Sequence, residues 1–216
     1  MSTANINNSR RQFIQTSVIA TGGLLGSGLI VGCAMMPGKS ASAALPPSAT
    51  APGAMPNAWV KVGTDNTVTI ICARSEMGQG VFTSMPMLVA EELEVPMSMV
   101  RVEMAPAREP YINTMIGAQL TGGSTSVAEG YTSLRVAGAQ ARMMLVAAAA
   151  EQWKVDASAC RAENAMVMGP SGQKATYGEL AEAASKLQAP KEPKLKDASA
   201  FKIVGTPVKR LDTPGK

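Results

Sequence analysis

The sequence predicts an α+β fold with a mixed sheet, one long helix and two shorter helices, preceded by a signal peptide. Several short segments alternate apolar and polar residues, which is the pattern of half-buried strands. An alanine-rich segment in the middle of the chain repeats apolar residues every three or four positions, which predicts the long helix. The N-terminus carries paired arginines and an apolar run, which are typical of an export signal.

Residues 1–43 are expected to be a twin-arginine signal peptide. Arg10 and Arg11 precede a moderately apolar, glycine-rich run over residues 18–31. That run is too short for a membrane-spanning helix, which needs about 20 apolar residues. We therefore expect export to the periplasm by the twin-arginine route rather than a transmembrane anchor.

Two processing points compete at the end of this leader. Ala41-Ser42-Ala43 has the small-residue form of a signal-peptidase site. Ile30-Val31-Gly32-Cys33 resembles a lipobox, which would attach a lipid to Cys33, and this is the second alternative. Residues 44–57 are rich in Pro and Ala and are expected to form a linker.

The composition excludes several classes of function. The net charge is +4, but residues 1–50 hold three of the 20 basic residues and no acidic one, leaving 17 basic against 16 acidic residues. This balance gives no electrostatic footprint for nucleic acid. Histidine is absent, which excludes Ser-His and Cys-His catalysis and histidine-ligated metals, so no metal ligand is assigned. A disulfide between Cys72 and Cys160 is conceivable, but two free thiols are favoured, because Cys72 lies in an apolar strand.

The first half of the folded part is predicted to contain a hairpin, a helix and a third strand. The hairpin pairs residues 59–62 with residues 67–73, and the third strand covers residues 99–104. The helix is predicted from Met85 to Leu93, with Ser84 as its cap and Pro86 in its first turn. Three carboxylates in or beside this helix are expected to face solvent: Glu91, Glu92 and Glu94.

The second half contains the long helix, a second hairpin and a short helix. After a loop over residues 105–122, the long helix is predicted from Ser124 to Trp153, and residues 165–176 form the hairpin. Thr176 is expected to cap a helix from Tyr177 to Ser185. We expect residues 58–187 to form the domain and residues 188–216 to form an extended tail or connector.

Two glycine-rich segments precede the first two helices. Gly78-Gln79-Gly80 follows a strand, and Gly122-Gly123-Ser124-Thr125-Ser126 opens the long helix. Free N–H groups and the helix dipole make each segment a possible phosphate site, and the amide of Gln79 suits the edge of a heterocycle. The alternative is that the glycines serve tight turns and the hydroxyls are ordinary helix caps.

From Trp59 to Lys216 the chain resembles the N-terminal part of the molybdopterin-binding subunits of the xanthine dehydrogenase superfamily. The resemblance is to the group of isoquinoline 1-oxidoreductase beta subunits and bacterial aldehyde dehydrogenase large subunits in particular. It rests on six runs in order, at residues 75–80, 87–93, 119–126, 138–142, 177–180 and 208–212. It implies a partial molybdopterin-binding domain and oxidative hydroxylation of an aldehyde or an N-heterocycle.

The resemblance also implies a cofactor, its contacts and its partners. The cofactor is the molybdenum–molybdopterin cytosine dinucleotide, shared with the rest of the site. The partners are the complementary C-terminal part of the large subunit, an iron–sulfur small subunit and, in some relatives, a cytochrome c. The implied cofactor-binding residues are Met77, Gly78, Gln79, Gly80, Gly123, Ser124, Thr125 and Ser126.

The chain departs from the family in its length. Related subunits continue for several hundred residues and carry the glutamate that acts as general base in that later part. We therefore assign no catalytic residue, and we expect a truncated or split subunit that is inactive without its complement. We expect the alanine-rich face of the long helix to be left exposed. The alternative function is a non-catalytic exported or lipid-anchored binding or assembly domain.

Overall fold

The computed structural model describes residues 53–213 of the chain. The expected signal peptide, both of its processing points at Ala43 and Cys33, and residues 44–52 of the expected linker lie outside that range. Within residues 53–213, no helix has both the length and the apolar character needed to cross a membrane.

Four strands form a mixed sheet in the order β1-β2-β3-β4. The neighbours β1/β2 and β2/β3 are antiparallel, whereas β3/β4 are parallel. The predicted hairpin and third strand are confirmed, and the sheet is mixed as expected. The bounds are β1 Gly53–Asn57, β2 Val60–Gly63, β3 Val68–Cys72 and β4 Val100–Met104.

Strand β1 lies in residues 44–57, which the sequence predicts to be a linker. The sequence does not predict this strand, because it contains Pro56 and lacks alternating β-branched residues. Proline is tolerated here because β1 is an edge strand of the sheet. The Nδ2 atom of Asn57 donates a hydrogen bond of 2.8 Å to the carbonyl of Ala137, so β1 is also tied to the long helix.

The three predicted helices are present, one long and two shorter. They are α1 Val81–Leu93, α2 Thr125–Trp153 and α3 Tyr177–Ser185. Thr176 caps α3 as predicted, in a reciprocal capping box with Glu179. A second, antiparallel sheet holds β5 Arg161–Glu163, β6 Met166–Met168 and β7 Lys174–Thr176, of which only β5 escaped prediction.

Helices α1 and α2 pack closely, and the alanine-rich face of α2 is buried against α1 and the other elements around it. A Cβ atom at Gly138 would lie 2.5 Å from the carbonyl oxygen of Val89, so only glycine permits this approach. The expectation that the alanine-rich face is exposed is therefore wrong, because small side chains let the backbones come together. The buried alanines of α2 are Ala137, Ala139, Ala141, Ala148, Ala149 and Ala150.

Helix α1 begins earlier than the sequence predicts. It starts at Val81 after Gly80, whose φ is 86°, so Ser84 lies inside the helix and Pro86 in its second turn. The prediction that Ser84 caps α1 is wrong, because the N–H groups at the start of α1 are bound by Glu76, which lies five residues before the helix. The carboxylate of Glu76 accepts hydrogen bonds from the N–H groups of Gly80 at 2.9 Å and Phe82 at 3.0 Å.

The prediction that Glu91, Glu92 and Glu94 face solvent is also wrong. Glu91 and Glu92 are 1% and 0% exposed, and the side chain of Glu94 is 18% exposed. These carboxylates are buried because the C-terminal segment of the chain packs over them. Residues 188–213, which we call the strap, run without a strand across α1 and cover these carboxylates.

Glu91 is held by backbone donors of the strap. Its Oε2 atom accepts from the N–H groups of Lys202 at 2.9 Å, Ile203 at 2.6 Å and Val204 at 3.0 Å. Its Oε1 atom accepts from Nζ of Lys196 at 3.0 Å. Burial by itself would raise the pKa of Glu91, but these donors hold the pKa below its ordinary value.

Glu92 joins α1 to both α2 and the strap. Its Oε1 atom accepts from Nε of Arg135 at 2.9 Å and from Nη2 at 2.7 Å. The N–H group of Lys196 donates to Oε2 of Glu92 at 3.1 Å, and the guanidinium of Arg135 lies 4.9 Å from the ring centre of Phe201. Every donor that faces the two buried carboxylates is therefore supplied by another segment, which fixes three segments together.

We predict that Glu91→Gln releases the strap. Glutamine keeps one acceptor oxygen but not the charge, so the hydrogen bonds to the three strap N–H groups weaken and Nζ of Lys196 meets an uncharged amide in place of the Glu91 carboxylate. This change costs about 3 kcal/mol and exposes the strap roughly 100-fold more often. Limited trypsin digestion of the full chain should then cleave after Lys194 and Lys202 much faster.

The control is Glu182→Gln, because Glu182 on α3 is exposed and makes a pair with Lys186 that contributes little. Equal cleavage of the Glu91→Gln variant and the wild type would show that Glu91 does not hold the strap.

Candidate functional site

The structure brings the two glycine-rich segments together. We call residues 75–80 the glycine turn and residues 121–126 the α2 start. The N–H group of Ser75 in the glycine turn donates a hydrogen bond of 2.7 Å to Oγ1 of Thr121 in the α2 start. Segments 46 residues apart in the chain thus form one surface.

A buried arginine, Arg74, stabilises the contact between the glycine turn and the α2 start from inside the protein. Arg74 lies two residues after the end of β3 and is 1% exposed. Its Nη2 atom pairs with Oε2 of Glu129 on α2 at 2.7 Å, and its Nη1 atom donates to the carbonyl of Tyr111 at 3.0 Å. The charge of Arg74 is therefore paired inside the protein, and it fixes the start of the glycine turn relative to α2.

The loop over residues 105–122 is anchored by a buried amide. Asn113 is 0% exposed, and its Nδ2 atom donates to Oγ1 of Thr125 at 2.6 Å. Thr114 donates through both its N–H and its hydroxyl to Oε1 of Glu129. The loop is thus bound to the first two turns of α2, while Met115 at its tip is 65% exposed.

The backbone of the glycine turn leaves two open faces. Gly78 and Gly80 have φ values of 103° and 86°, and a Cβ atom built on either would meet nothing within 4 Å. These conformations favour glycine, and the open space allows a ligand to approach the backbone closely. The amide of Gln79, by contrast, is used inside the turn: Nε2 donates to the carbonyl of Ser75 and Oε1 accepts from the N–H of Met77.

The predicted anion site at this turn is filled by the carboxylate of Glu76. Besides Gly80 and Phe82, the N–H group of Gly78 donates to Oε1 of Glu76 at 2.7 Å, and Nη2 of Arg210 lies 3.1 Å from the same atom. Burial tends to raise the pKa of Glu76, but the three N–H donors and the charge of Arg210 lower it below its ordinary value.

The α2 start differs in this respect. Gly123 and Ser124 have φ values of 60° and 56°, both are exposed, and the side chain of Ser124 makes no capping hydrogen bond to the helix. The hydroxyl of Thr125 donates to the carbonyl of Gly122 at 2.9 Å. The dipole of a 29-residue helix favours negative charge at this end, so an anionic group is better placed here than at the glycine turn.

Both described cysteines are free thiols, as predicted. Cys72 is buried below the glycine turn, where its Sγ atom lies 3.4 Å from the carbonyl of Arg74 and 3.7 Å from Sδ of Met85. Cys160 is half-buried near the second sheet. Burial raises the pKa of each thiol, so both are protonated at neutral pH and are poor nucleophiles.

Sequence reasoning missed the residues that hold the site together. Arg74, Asn113 and Glu129 carry no local pattern, although an arginine directly after an apolar strand is a weak signal for a buried pair. Arg210 lies in one of the runs that carry the family resemblance, yet its position beside Glu76 depends on a contact across 134 positions of the chain.

Comparison with known proteins identifies the fold family. A family model described as a molybdopterin cofactor-binding domain matches residues 21–214. The beta subunit of isoquinoline 1-oxidoreductase from Brevundimonas diminuta is 43% identical over 128 residues, which are 58% of this chain and 16% of that protein. The membrane-bound aldehyde dehydrogenase [pyrroloquinoline-quinone] of Gluconacetobacter polyoxogenes is 30% identical over 220 residues, which are 96% of this chain and 26% of that protein.

The chain spans only a small part of these relatives. A nicotinate dehydrogenase subunit of Pseudomonas putida is 27% identical over 164 residues, covering 73% of this chain but 13% of that protein. Among solved structures, quinoline 2-oxidoreductase from Pseudomonas putida 86 matches with a TM-score of 0.45 and 19% identity, over 57% of this chain and 15% of that one.

We predict that Glu76→Gln loosens the glycine turn. Gln offers one oxygen instead of two and places an NH₂ group against N–H donors, so hydrogen exchange at Gly80 and Phe82 should rise about fivefold, the usual effect of losing a helix cap. Because the folded-state pKa of Glu76 is lowered, the wild-type protection persists below the ordinary glutamate range and is lost as pH falls through the folded pKa.

The matched control is Asp156→Asn, since Asp156 also caps a turn but lies far along the chain from the site. Protection of Gly80 and Phe82 that is the same in Glu76→Gln and wild type at neutral pH would show that Glu76 does not organise the turn.

Proposed function

Because the chain belongs to the molybdopterin cofactor-binding domain family, we propose that it supplies two edges of the cofactor site of a molybdenum-dependent oxidoreductase. The observation that carries the proposal is the hydrogen bond between Ser75 and Thr121, which joins the glycine turn to the α2 start. Two such neighbouring edges can bind a ligand that contains both a ring system and phosphate.

The two edges suit different parts of the cofactor. The glycine turn, through Met77, Gly78, Gln79 and Gly80, offers backbone with open faces, and its N–H groups are already bound to the Glu76 carboxylate, which suits an uncharged ring system better than phosphate. The α2 start offers a helix N-terminus and the exposed hydroxyl of Ser124, which suit phosphate, whereas Thr125 and Ser126 are buried and the hydroxyl of Thr125 is already hydrogen-bonded within the protein. Gly123, Ser124, Thr125 and Ser126 would hold that part.

The bound cofactor supplies the transfer of a water-derived oxygen to an electron-poor carbon, with two electrons passing to the cofactor. The residues of this chain bind and orient it. Glu76 is unsuited to act as general base, because a base working near neutral pH needs a raised pKa and Glu76 has a lowered one. We therefore propose that the base lies in another part of the large subunit, of which this chain is the N-terminal portion.

The finer identity of the reaction is also part of the proposal. The relatives are named for isoquinoline, an aldehyde and nicotinate, which supports an aldehyde or an N-heterocycle as the substrate. One relative's name specifies pyrroloquinoline quinone, but the family model concerns molybdopterin, and we propose its cytosine dinucleotide form. Two relatives are named as subunits, which supports partner chains, and we propose an iron–sulfur subunit and a cytochrome c.

We also propose that the assembly works in the periplasm. The support is the paired arginines Arg10 and Arg11 and the glycine-rich apolar run that follows them. Export by this route suits a protein that receives its cofactor before it crosses the membrane. Mass spectrometry of the mature N-terminus distinguishes cleavage after Ala43 from lipid attachment at Cys33.

We predict that the intact assembly containing this chain carries molybdenum and releases a cytidine nucleotide on acid hydrolysis. Metal analysis and nucleotide chromatography measure both. An active assembly that contains neither, or that contains pyrroloquinoline quinone instead, would contradict the proposed cofactor. An inactive assembly without either would favour the alternative of a binding or assembly domain.

We predict that Ser124→Asp weakens cofactor retention without unfolding α2. Aspartate tolerates the left-handed conformation of residue 124 and is a good helix cap, so the helix should be as stable as before or more so. Its charge repels phosphate, so cofactor content should fall by roughly tenfold or more.

Ser133→Asp is the matched control, because it places the same charge on the exposed side of α2, in its third turn. Equal molybdenum content in the Ser124→Asp variant, the Ser133→Asp variant and the wild type would place the phosphate away from the α2 start.

A further inference from the structure

The last part of the strap contacts the glycine turn through Arg210. Arg210 donates from Nη1 to the carbonyl of Gly78 at 2.9 Å and from Nη2 to Oε1 of Glu76 at 3.1 Å. Its Nε and Nη2 atoms also donate to the carboxylate of Asp212 at 3.0 Å and 2.8 Å. The planar guanidinium thus links two points of the turn to the strap.

The position of Arg210 is set by α1. The next residue, Leu211, donates its N–H to Oγ1 of Thr83 in the first turn of α1 at 3.0 Å. Earlier in the strap, Glu91 accepts hydrogen bonds from the N–H groups of residues 202–204. The strap is therefore bound to α1 both before and after Arg210 in the sequence, which places Arg210 beside the glycine turn.

The glycine turn needs such an external support. It contains two glycines at positive φ, and Met77, Gly78 and Gln79 are exposed. An exposed, glycine-containing turn adopts many conformations unless other residues bind its backbone groups, because glycine loses more conformational entropy on ordering than any other residue. Arg210 holds a carbonyl of the turn and the carboxylate that organises its N–H groups.

We propose that Arg210 is a positioning residue for the cofactor: it fixes the glycine turn in the shape that receives the ring system. The proposal rests on the proposed function of the turn. Arg210 acts through Glu76 and Gly78 rather than by contacting phosphate. Its single positive charge faces two carboxylates, those of Glu76 and Asp212, so the local net charge is negative and disfavours an anion.

Hydrogen exchange on the full 216-residue chain tests the positioning itself. In Arg210→Ala, exchange at Gly78, Gly80 and Phe82 should rise about fivefold, whereas exchange in the middle of α2 and the melting temperature stay unchanged. Arg210→Lys should restore part of the protection, because lysine keeps the charge but lacks the fork.

Lys209→Ala is the matched control, since it removes the same charge from the adjacent exposed position of the strap. Unchanged exchange in Arg210→Ala would overturn the proposal, and so would an equal rise in Lys209→Ala.

Cofactor retention in the intact assembly tests the link to function. Molybdenum content should fall about fivefold or more in Arg210→Ala, be partly restored in Arg210→Lys and stay at the wild-type level in Lys209→Ala. Full retention in Arg210→Ala, with the wild type also loaded, overturns this inference and leaves the proposed function intact. An active wild-type assembly without molybdenum overturns the proposed function, and the positioning role for the cofactor falls with it.

Discussion

Two buried carboxylates on α1 organise the rest of the structure. Glu91 and Glu92 are removed from water, so they need donors from other segments, and those donors come from α2 and the strap. Glu91 is satisfied by the strap, and Glu92 is satisfied only when α2 and the strap are both assembled on α1. Together with the close approach at Gly138, this requirement sets the position of α1, and α1 in turn begins at the glycine turn.

The same arrangement recurs at the site on a smaller scale. Glu76 accepts the N–H groups of the turn and of α1, and Arg210 from the strap completes it. Arg74 and Glu129 do the same below the junction with the α2 start. Ion pairs between distant segments thus shape both glycine-rich edges, and the α2 start is left as the edge with an uncapped helix dipole.

Local sequence pattern predicts this fold well where structure is local. The hairpin β2/β3, strand β4, helix α2 and the helix cap at Thr176 follow from alternation, helical period and cap residues. The sequence also predicts correctly that each of the two glycine-rich segments lies at the start of a helix. The errors concern long-range contacts. A run of glutamates on a helix normally faces water, but the strap, more than 100 residues later, covers Glu91, and the strap and α2 together cover Glu92. Likewise no local pattern marks Glu76 as the cap of α1.

The most direct test of the central claim is an experimental structure of the intact assembly with its cofactor bound. The account predicts that the cofactor contacts the backbone of Gly78 or Gly80 with its ring system and the N–H groups at Ser124 and Ser126 with its phosphates. It also predicts that Glu76 remains bound to Arg210. A cofactor that touches neither edge, or phosphate bound at the glycine turn in place of the Glu76 carboxylate, would contradict the account.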